Sequence, residues 1–373
     1  MHSQGASSIR QWLETAAYSA CMVLMSIAVA GCSHINPHYD PTRPHHTPSG
    51  FRNNHLDDFF TGSFWAWQWE RWRQGLPKPP VSVEEMQPVQ ADIGWLQHNR
   101  SEPVATWIGH ATVLLQAGGL NILTDPMLSE RASPLSWIGP KRKMPPAIGL
   151  ADLPRIDVVI ISHNHYDHLD LPTLKALNAQ AGGPPLFLVP LGIGDWLHRQ
   201  GIKPVAQLDW WQSLPVAGMR LHCVPVQHWS ARGLFDRFQT LWSGWVIETA
   251  DETGGERSLK IFFTGDTGYS RDFTDIAQRF GAMDLAMIPI GAYEPRWFMR
   301  HQHVDPAEAV QIHLDLQARQ SLGIHWGTFQ LTDEPLDEPP RALRQALRAR
   351  DIDVNSFVTL RPGGTLQIRN FIQ

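Results

Sequence analysis

Between residues 163 and 168 the chain carries His163, His165, Asp167 and His168. Neutral imidazole and carboxylate are zinc donors, and four of them in so short a run exceed what one tetrahedral ion needs. His163 and His165 are two apart, so an extended segment points both the same way. Asp167 and His168 follow after a turn and can face a second ion. Farther along, His228, Asp266 and His325 each come directly after an apolar run. A lone histidine after a strand is usually a satisfied loop residue. Three such positions together with H-x-H-x-D-H make a set, and the set points to a two-metal site.

The elements around these residues read as the scaffold such a site requires. Ile156–Ile161 is a continuous, β-branched apolar run, the pattern of a strand buried on both faces. Asp170-Leu171-Pro172 reads as a helix N-cap with proline in the first turn. Leu171, Leu174 and Leu177 give the helical stripe, and Gly182-Gly183 ends it. The donor cluster therefore lies on a loop at the C-terminal end of a strand, the edge where α/β architectures form sites. Thr106–Gln116 and Leu120–Leu123 read as strands flanking an Ala117-Gly118-Gly119 hairpin signal. Further strands are expected near 186–189, 220–226, 240–249, 259–263, 285–290, 322–324, 357–360 and 365–368. Helices are expected over 306–318, behind Asp305, and over 340–350.

Composition narrows the class. Of 373 residues, 43% are hydrophobic and 18% charged, which describes a globular chain. A net charge of -5 and a pI near 6.4 argue against a general nucleic-acid binder. Three cysteines (Cys21, Cys32 and Cys223) make no disulfide framework. Eighteen histidines and sixteen tryptophans are both high, and each number asks for a reason. The oligomeric state is left open.

The chain divides into four stretches. Residues 1–31 resemble a lipoprotein signal peptide: Ala16–Gly31 is uncharged, mostly apolar and short for a membrane span. Val29-Ala30-Gly31-Cys32 resembles a bacterial lipobox, which would make Cys32 the lipidated first residue of the mature chain. Ser33 then fits sorting to the outer membrane, facing the periplasm. Residues 32–62, rich in proline and histidine, read as an extended linker. Residues 63–100 form an aromatic-rich extension. Phe59, Phe60, Phe64, Trp65, Trp67, Trp69 and Trp72 suit either a membrane–water interface or packing on the outside of the main domain. Residues 101–373 read as one domain that carries the donor set. Lys141, Arg142 and Lys143 form a basic run that suits either an anionic substrate or a solvated loop.

H-x-H-x-D-H is the signature of the metallo-β-lactamase superfamily, which the chain resembles. The likeness goes further. TWIGHATVLLQ, LTDP, SERASP with GPKRK, SHNHYDHLD, VQHWSARG, FFTGDTGY, MRHQHVDPAEAV and IHWGTF, in that order, resemble the N-acylphosphatidylethanolamine-hydrolysing phospholipase D family from about residue 100 onward. The resemblance implies an α/β fold, the αββα sandwich of two sheets flanked by helices. It implies two Zn2+, one held by His163, His165 and His228 and the other by Asp167, His168 and His325, with Asp266 bridging. It gives Asp167 and Asp266 catalytic parts around a bridging hydroxide, and gives Gln302 and His303 oxyanion contact or proton delivery. His110 and Asp125 would orient ligands from behind. The substrate implied is a phospholipid, cut to an N-acylethanolamine and phosphatidic acid. The alternatives are another dinuclear-metal hydrolase of a lactone, ester or soluble phosphodiester, or a non-catalytic metal-binding envelope protein.

Overall fold

The computed structural model describes residues 35–56, 63–77, 84–249 and 258–369. Residues 1–34, with the signal peptide and Cys32, lie outside them, as do Phe59 and Phe60. Among the described residues no helix is long and apolar enough to cross a membrane.

The first element among the described residues is a hairpin of two-residue strands, β1 (His46–Thr47) and β2 (Gly50–Phe51). Two helices follow, α1 (Phe64–Gln74) and α2 (Ile93–His98). The first large sheet is built from β3 (Val104–Gly109), β4 (Thr112–Ala117), β5 (Leu120–Thr124), β6 (Val158–Ile160), β7 (Leu186–Pro190) and β8 (Val205–Leu208). Helices α3 (Leu171–Asn178) and α4 (Ile193–Arg199) connect its parallel strands. The second sheet follows: β9 (Ser213–Val216), β10 (Met219–Val224), β11 (Gly244–Glu248), β12 (Lys260–Phe263), β13 (Leu285–Pro289), β14 (Gln320–Ile324) and β15 (Phe357–Val358). Its helices are α5 (Asp272–Phe280), the short α6 (Arg296–Met299), α7 (Pro306–Asp315) and α8 (Glu338–Ala349). The last strand, β16 (Thr365–Gln367), returns to pair with β3, so the chain's end closes the first sheet's edge. This is the expected sandwich.

Strand β6 shows how it is filled. Val158 and Ile160 join the core between the two sheets. Val159 and Ile161 point the other way, among Leu169, Leu174, Leu177 and Leu197 from the helical side. Alternation on a doubly covered strand is what a continuous apolar run encodes. The tryptophans also find their reason. Trp107, Trp210, Trp242 and Trp245 are fully buried, and each Nε1 donates to a backbone carbonyl: those of His110, Trp242, Val226 and Ile161. Large rings fill the space between sheets, and the hydrogen bond removes the cost of a buried indole N–H.

Three expectations change. Thr106–Gln116 is not one strand: the chain reverses at Gly109 (φ 141) and His110 (φ 54), giving β3 and β4. Glycine adopts that conformation freely, while His110 is held there by tertiary bonds at both its N–H and its carbonyl. The stretch read as a linker is packed over 35–56. His45, His46, Phe51 and Asn53 are buried because their side chains meet partners on the body of the domain, and Asn36 is buried by bonds to the carbonyls of Thr47 and Gly50 within the segment itself. Arg142 does not await an anion. Its guanidinium donates to the carbonyls of Met127, Ser129 and Met144 and lies over the Phe329 ring, 4.9 Å away.

Candidate metal centre

Every donor singled out in the sequence arrives at one place, the edge where the two sheets meet. His163, His165, Asp167 and His168 lie on the loop leaving β6. His228 follows β10, Asp266 follows β12 and His325 follows β14. Strand ends fix these loops because the last residue of each strand is still paired in its sheet. His325 also takes a positive φ of 60°, and its N–H donates to the His110 carbonyl at 3.0 Å.

The donor atoms form two groups. His168 Nε2 and His325 Nε2 are 3.2 Å apart, each 3.4 Å from Asp167 Oδ2. Asp266 joins them at 3.0 Å from His168 and 3.1 Å from His325. In the other group His165 Nδ1 lies 2.8 Å from His163 Nε2 and 3.4 Å from His228 Nε2. Asp266 Oδ2 is 3.9 Å from His163 and 4.0 Å from His228, so one carboxylate faces both groups. Ligands about 2.1 Å from a tetrahedral ion sit about 3.4 Å from one another, which these spacings approach. The donors therefore fit a metal, and Asp266 Oδ1 is buried without a hydrogen-bond partner of its own.

The electrostatics agree. Burial alone would favour neutral carboxyls, yet His168 beside them holds Asp167 and Asp266 well below the usual carboxylate range. Burial also opposes charge on His168, but Asp266 and Asp167 raise it well above the ordinary imidazole value. His325 is pushed up to about 9 against burial by Asp266 and by its bond to Asp167. Burial takes His165 and His228 down to about 3, and His163 goes down for the same reason. Two ionised carboxylates thus demand positive charge between them, which protons on His168 and His325 or bound cations can supply.

Behind the donors runs a line of orienting bonds. Asp125 Oδ2 lies 2.7 Å from His168 Nδ1 and accepts from Ser162 Oγ at 2.5 Å. Ser162 Oγ is in turn 2.8 Å from His163 Nδ1. One buried carboxylate therefore aims a histidine in each group, turning Nε2 toward the other donors. His110 Nε2 sits 3.0 Å from Asp167 Oδ2. His110 and Asp125 thus lie within hydrogen-bond distance of donor residues, where an orienting part would place them. Sequence reasoning does not single out Ser162, although its place beside the first histidine is the available signal. Asn53 was missed as well, because it lay in the supposed linker: its amide bonds the His228 backbone at both N–H and carbonyl, each at 3.0 Å.

The two residues assigned to proton delivery part company. His303 Nδ1 faces Asp266 Oδ2 at 4.0 Å, buried and without a hydrogen bond, and burial lowers its pKa to about 3. The Gln302 side chain instead turns to Met299 Sδ at 3.2 Å, and its backbone carbonyl is 2.9 Å from His228 Nδ1. Following the end of α6, Gln302 contributes to the site as an orienting carbonyl.

Helix α1 packs on the segment that leads to Gln302 and His303. Trp67 stacks on Phe298 at 5.0 Å and donates to Asp333 at 2.7 Å. The other tryptophans of the helix face solvent: Trp65, Trp69 and Trp72 are 78%, 61% and 74% exposed. One ring thus fastens the helix to the domain, as the packing reading expects, and three are exposed. Leu234 and Phe235, on the loop after His228, are also exposed, as are Trp137 and Ile138.

Comparison with known proteins places these observations. A family model described as beta-lactamase superfamily domain matches residues 120–326. The chain is 41% identical to the N-acyl-phosphatidylethanolamine-hydrolyzing phospholipase D 1 of Caenorhabditis elegans, over 78% of this chain and 83% of that protein. It is 36% identical to the mitochondrial enzyme of the same description from Saccharomyces cerevisiae, over 64% of this chain and 50% of that one. Among solved structures, isothiocyanate hydrolase from Delia radicum gut bacteria aligns with TM-score 0.57 at 20% identity, over 72% of this chain and all of that one; it speaks for the fold alone.

Proposed function

Because the chain belongs to the metallo-β-lactamase superfamily, in the family of N-acylphosphatidylethanolamine-hydrolysing phospholipases D, and is a metal-dependent hydrolase, we propose that it is a two-zinc phosphodiesterase acting on a phospholipid. It hydrolyses N-acylphosphatidylethanolamine-like lipids to an N-acylethanolamine and phosphatidic acid. The observation that carries this reading is the pair of donor groups sharing Asp266, in a chain 41% identical to a relative of that description.

Two divalent ions, when bound, supply Lewis acidity at the phosphoryl oxygens and lower the pKa of water. His163, His165 and His228 would hold one, and Asp167, His168 and His325 the other. The chain does the rest. Asp125, Ser162 and His110 keep the donors in their ligating orientation, so no reorganisation is needed as charge grows on the phosphoryl oxygens. His303, its Nδ1 beside Asp266 and its ring neutral near pH 7, offers an N–H to a phosphoryl oxygen as a hydrogen-bond donor and has no proton of its own to give to the departing alkoxide.

The exposed aromatic rings favour a lipid substrate. Trp65, Trp69 and Trp72 suit the interfacial zone of a bilayer, and α1 is fastened to Phe298, four residues before Gln302. Lipidation of Cys32, just ahead of the first described residue, would tether the enzyme to a bacterial envelope membrane, with several acyl chains acting together. The test is hydrolysis by purified protein of N-acylphosphatidylethanolamine, phosphatidylcholine and a panel of lactones, alongside His165→Ala and Asp266→Asn. Release of N-acylethanolamine by the parent and neither variant supports the proposal. Lactone turnover without phospholipid turnover replaces it with the soluble-hydrolase reading.

A further inference from the structure

Residues 35–56 run across the domain as a strap, and their histidines meet aspartates of the body one after another. His38 Nε2 is 3.0 Å from Asp195. His45 and His46 share Asp209, at 2.7 and 3.2 Å. His55 reaches Asp275 at 3.3 Å. The His45–His46–Asp209 group has the composition of a metal site, but His46 Nδ1 accepts the Asp40 N–H at 3.1 Å. That bond puts the ring proton on Nε2, the atom an ion would need, so the group is an anchor rather than a ligand set. The strap's course is close. Phe51 N–H donates to the Phe238 carbonyl at 2.8 Å, and a Cβ at Gly50 would stand 2.1 Å from that same oxygen.

What the strap reaches is the loop that starts at His228. This residue lies past the end of β10, outside any ladder, and its two backbone groups are both satisfied by one side chain. Asn53 Oδ1 accepts the His228 N–H and Asn53 Nδ2 donates to the His228 carbonyl, each at 3.0 Å, with both residues buried. A primary amide paired in this way reproduces a rung of β-sheet. It fixes the peptide planes on both sides of His228, while the Gln302 carbonyl fixes the ring. We propose that the strap positions His228 for metal binding, with Asn53 as the positioning residue. The inference rests on His228 being a metal donor and is independent of the substrate.

The test is cobalt binding by the full-length protein, followed by the visible spectrum and by competition with a chromogenic chelator. Removing a residue that orients a metal ligand weakens binding about 10–100-fold. Asn53→Ala therefore loses affinity about tenfold or more at the His163, His165 and His228 group and keeps the parent's affinity at the Asp167, His168 and His325 group. Its kcat falls with KM unchanged, and excess cobalt restores the rate. Gly50→Ala, which forces the strap off Phe238 without touching Asn53, gives the same selective loss. The second group's retained affinity shows that the variants are folded. A parent that takes up no cobalt would overturn the metal reading and this inference with it. A parent that takes up two ions, matched by an Asn53→Ala chain of equal affinity at both groups, would overturn this inference alone.

Discussion

Asp125→Asn is the sharpest probe of how the donors are held. Both oxygens of Asp125 are committed: Oδ1 accepts the Ser162 N–H at 2.7 Å, and Oδ2 serves Ser162 Oγ and His168 Nδ1. Asparagine has the same shape and tolerates the positive φ of 31° at this position, so the backbone is not disturbed. Its single oxygen can replace only one side of the pattern. Placed toward His168, it leaves an amide NH2 facing the Ser162 N–H, donor against donor. Placed toward Ser162 N–H, it turns the NH2 on His168 Nδ1, which must then give up its proton and carry it on Nε2, the ligating atom. Either way the group of Asp167, His168 and His325 loses affinity. Replacing an outer partner of a ligating histidine costs about 10–100-fold, or about 1.4–2.7 kcal/mol. Because Ser162 hands the effect on to His163, the other group weakens too, by less. Chelator competition gives the two affinities, and hydrolysis of a chromogenic phosphodiester gives kcat at saturating zinc. Unchanged affinity at both groups would refute the chain of bonds from Asp125 outward.

Metal uptake should release protons. With its pKa raised from the ordinary 6.5 to about 9, His325 is charged at neutral pH in the metal-free chain, and its contribution to stability is full below about 6.5 and lost as pH rises through about 9. A bound ion displaces that proton, which by itself makes affinity climb about tenfold per pH unit from 7 toward 9, and the proton on His168 adds to the climb; calorimetry in buffers of different ionisation enthalpy that finds no proton release would contradict this. Truncating Trp65, Trp69 and Trp72 to alanine should weaken binding to phospholipid vesicles by about 1.5 kcal/mol per ring, roughly tenfold each, and leave turnover of a soluble phosphodiester intact. Gly265→Ala should cost a few kcal/mol in thermal unfolding and most of the activity: Gly265 has φ 65°, and a Cβ there would meet the Ser162 Cβ at 2.4 Å, wedging the Asp266 loop from the His163 loop.

The donor set was legible because metal chemistry admits few residue types and crowds them onto strand ends. All seven proposed ligands converge for that reason, and the doubly buried β6 could be read from its unbroken apolar run. What escaped reading was set by partners distant in the chain. The turn at His110 depends on a carbonyl shared with Trp107 and His325, and no local pattern announces it. Prolines and histidines at 35–56 look like solvated chain until Asp195, Asp209 and Asp275 are known to lie beneath them. Gln302 is polar and next to a site residue, which hides the fact that its carbonyl, not its amide, does the orienting. Arg142 misleads in the same way, its charge spent on three backbone oxygens.

The donors come from both sheets: the loop after β6 in the first, and those after β10, β12 and β14 in the second. Neither donor group is complete within one sheet, since His163 and His165 need His228, and Asp167 and His168 need His325. A nascent chain that has made only its first half therefore has a cluster of loose histidines and no site. Ions can be captured only once the two halves have docked, so loading reports that folding is finished. On the proposed metal reading, the cation is therefore chosen by the surroundings in which the second sheet docks, and not by those in which synthesis begins.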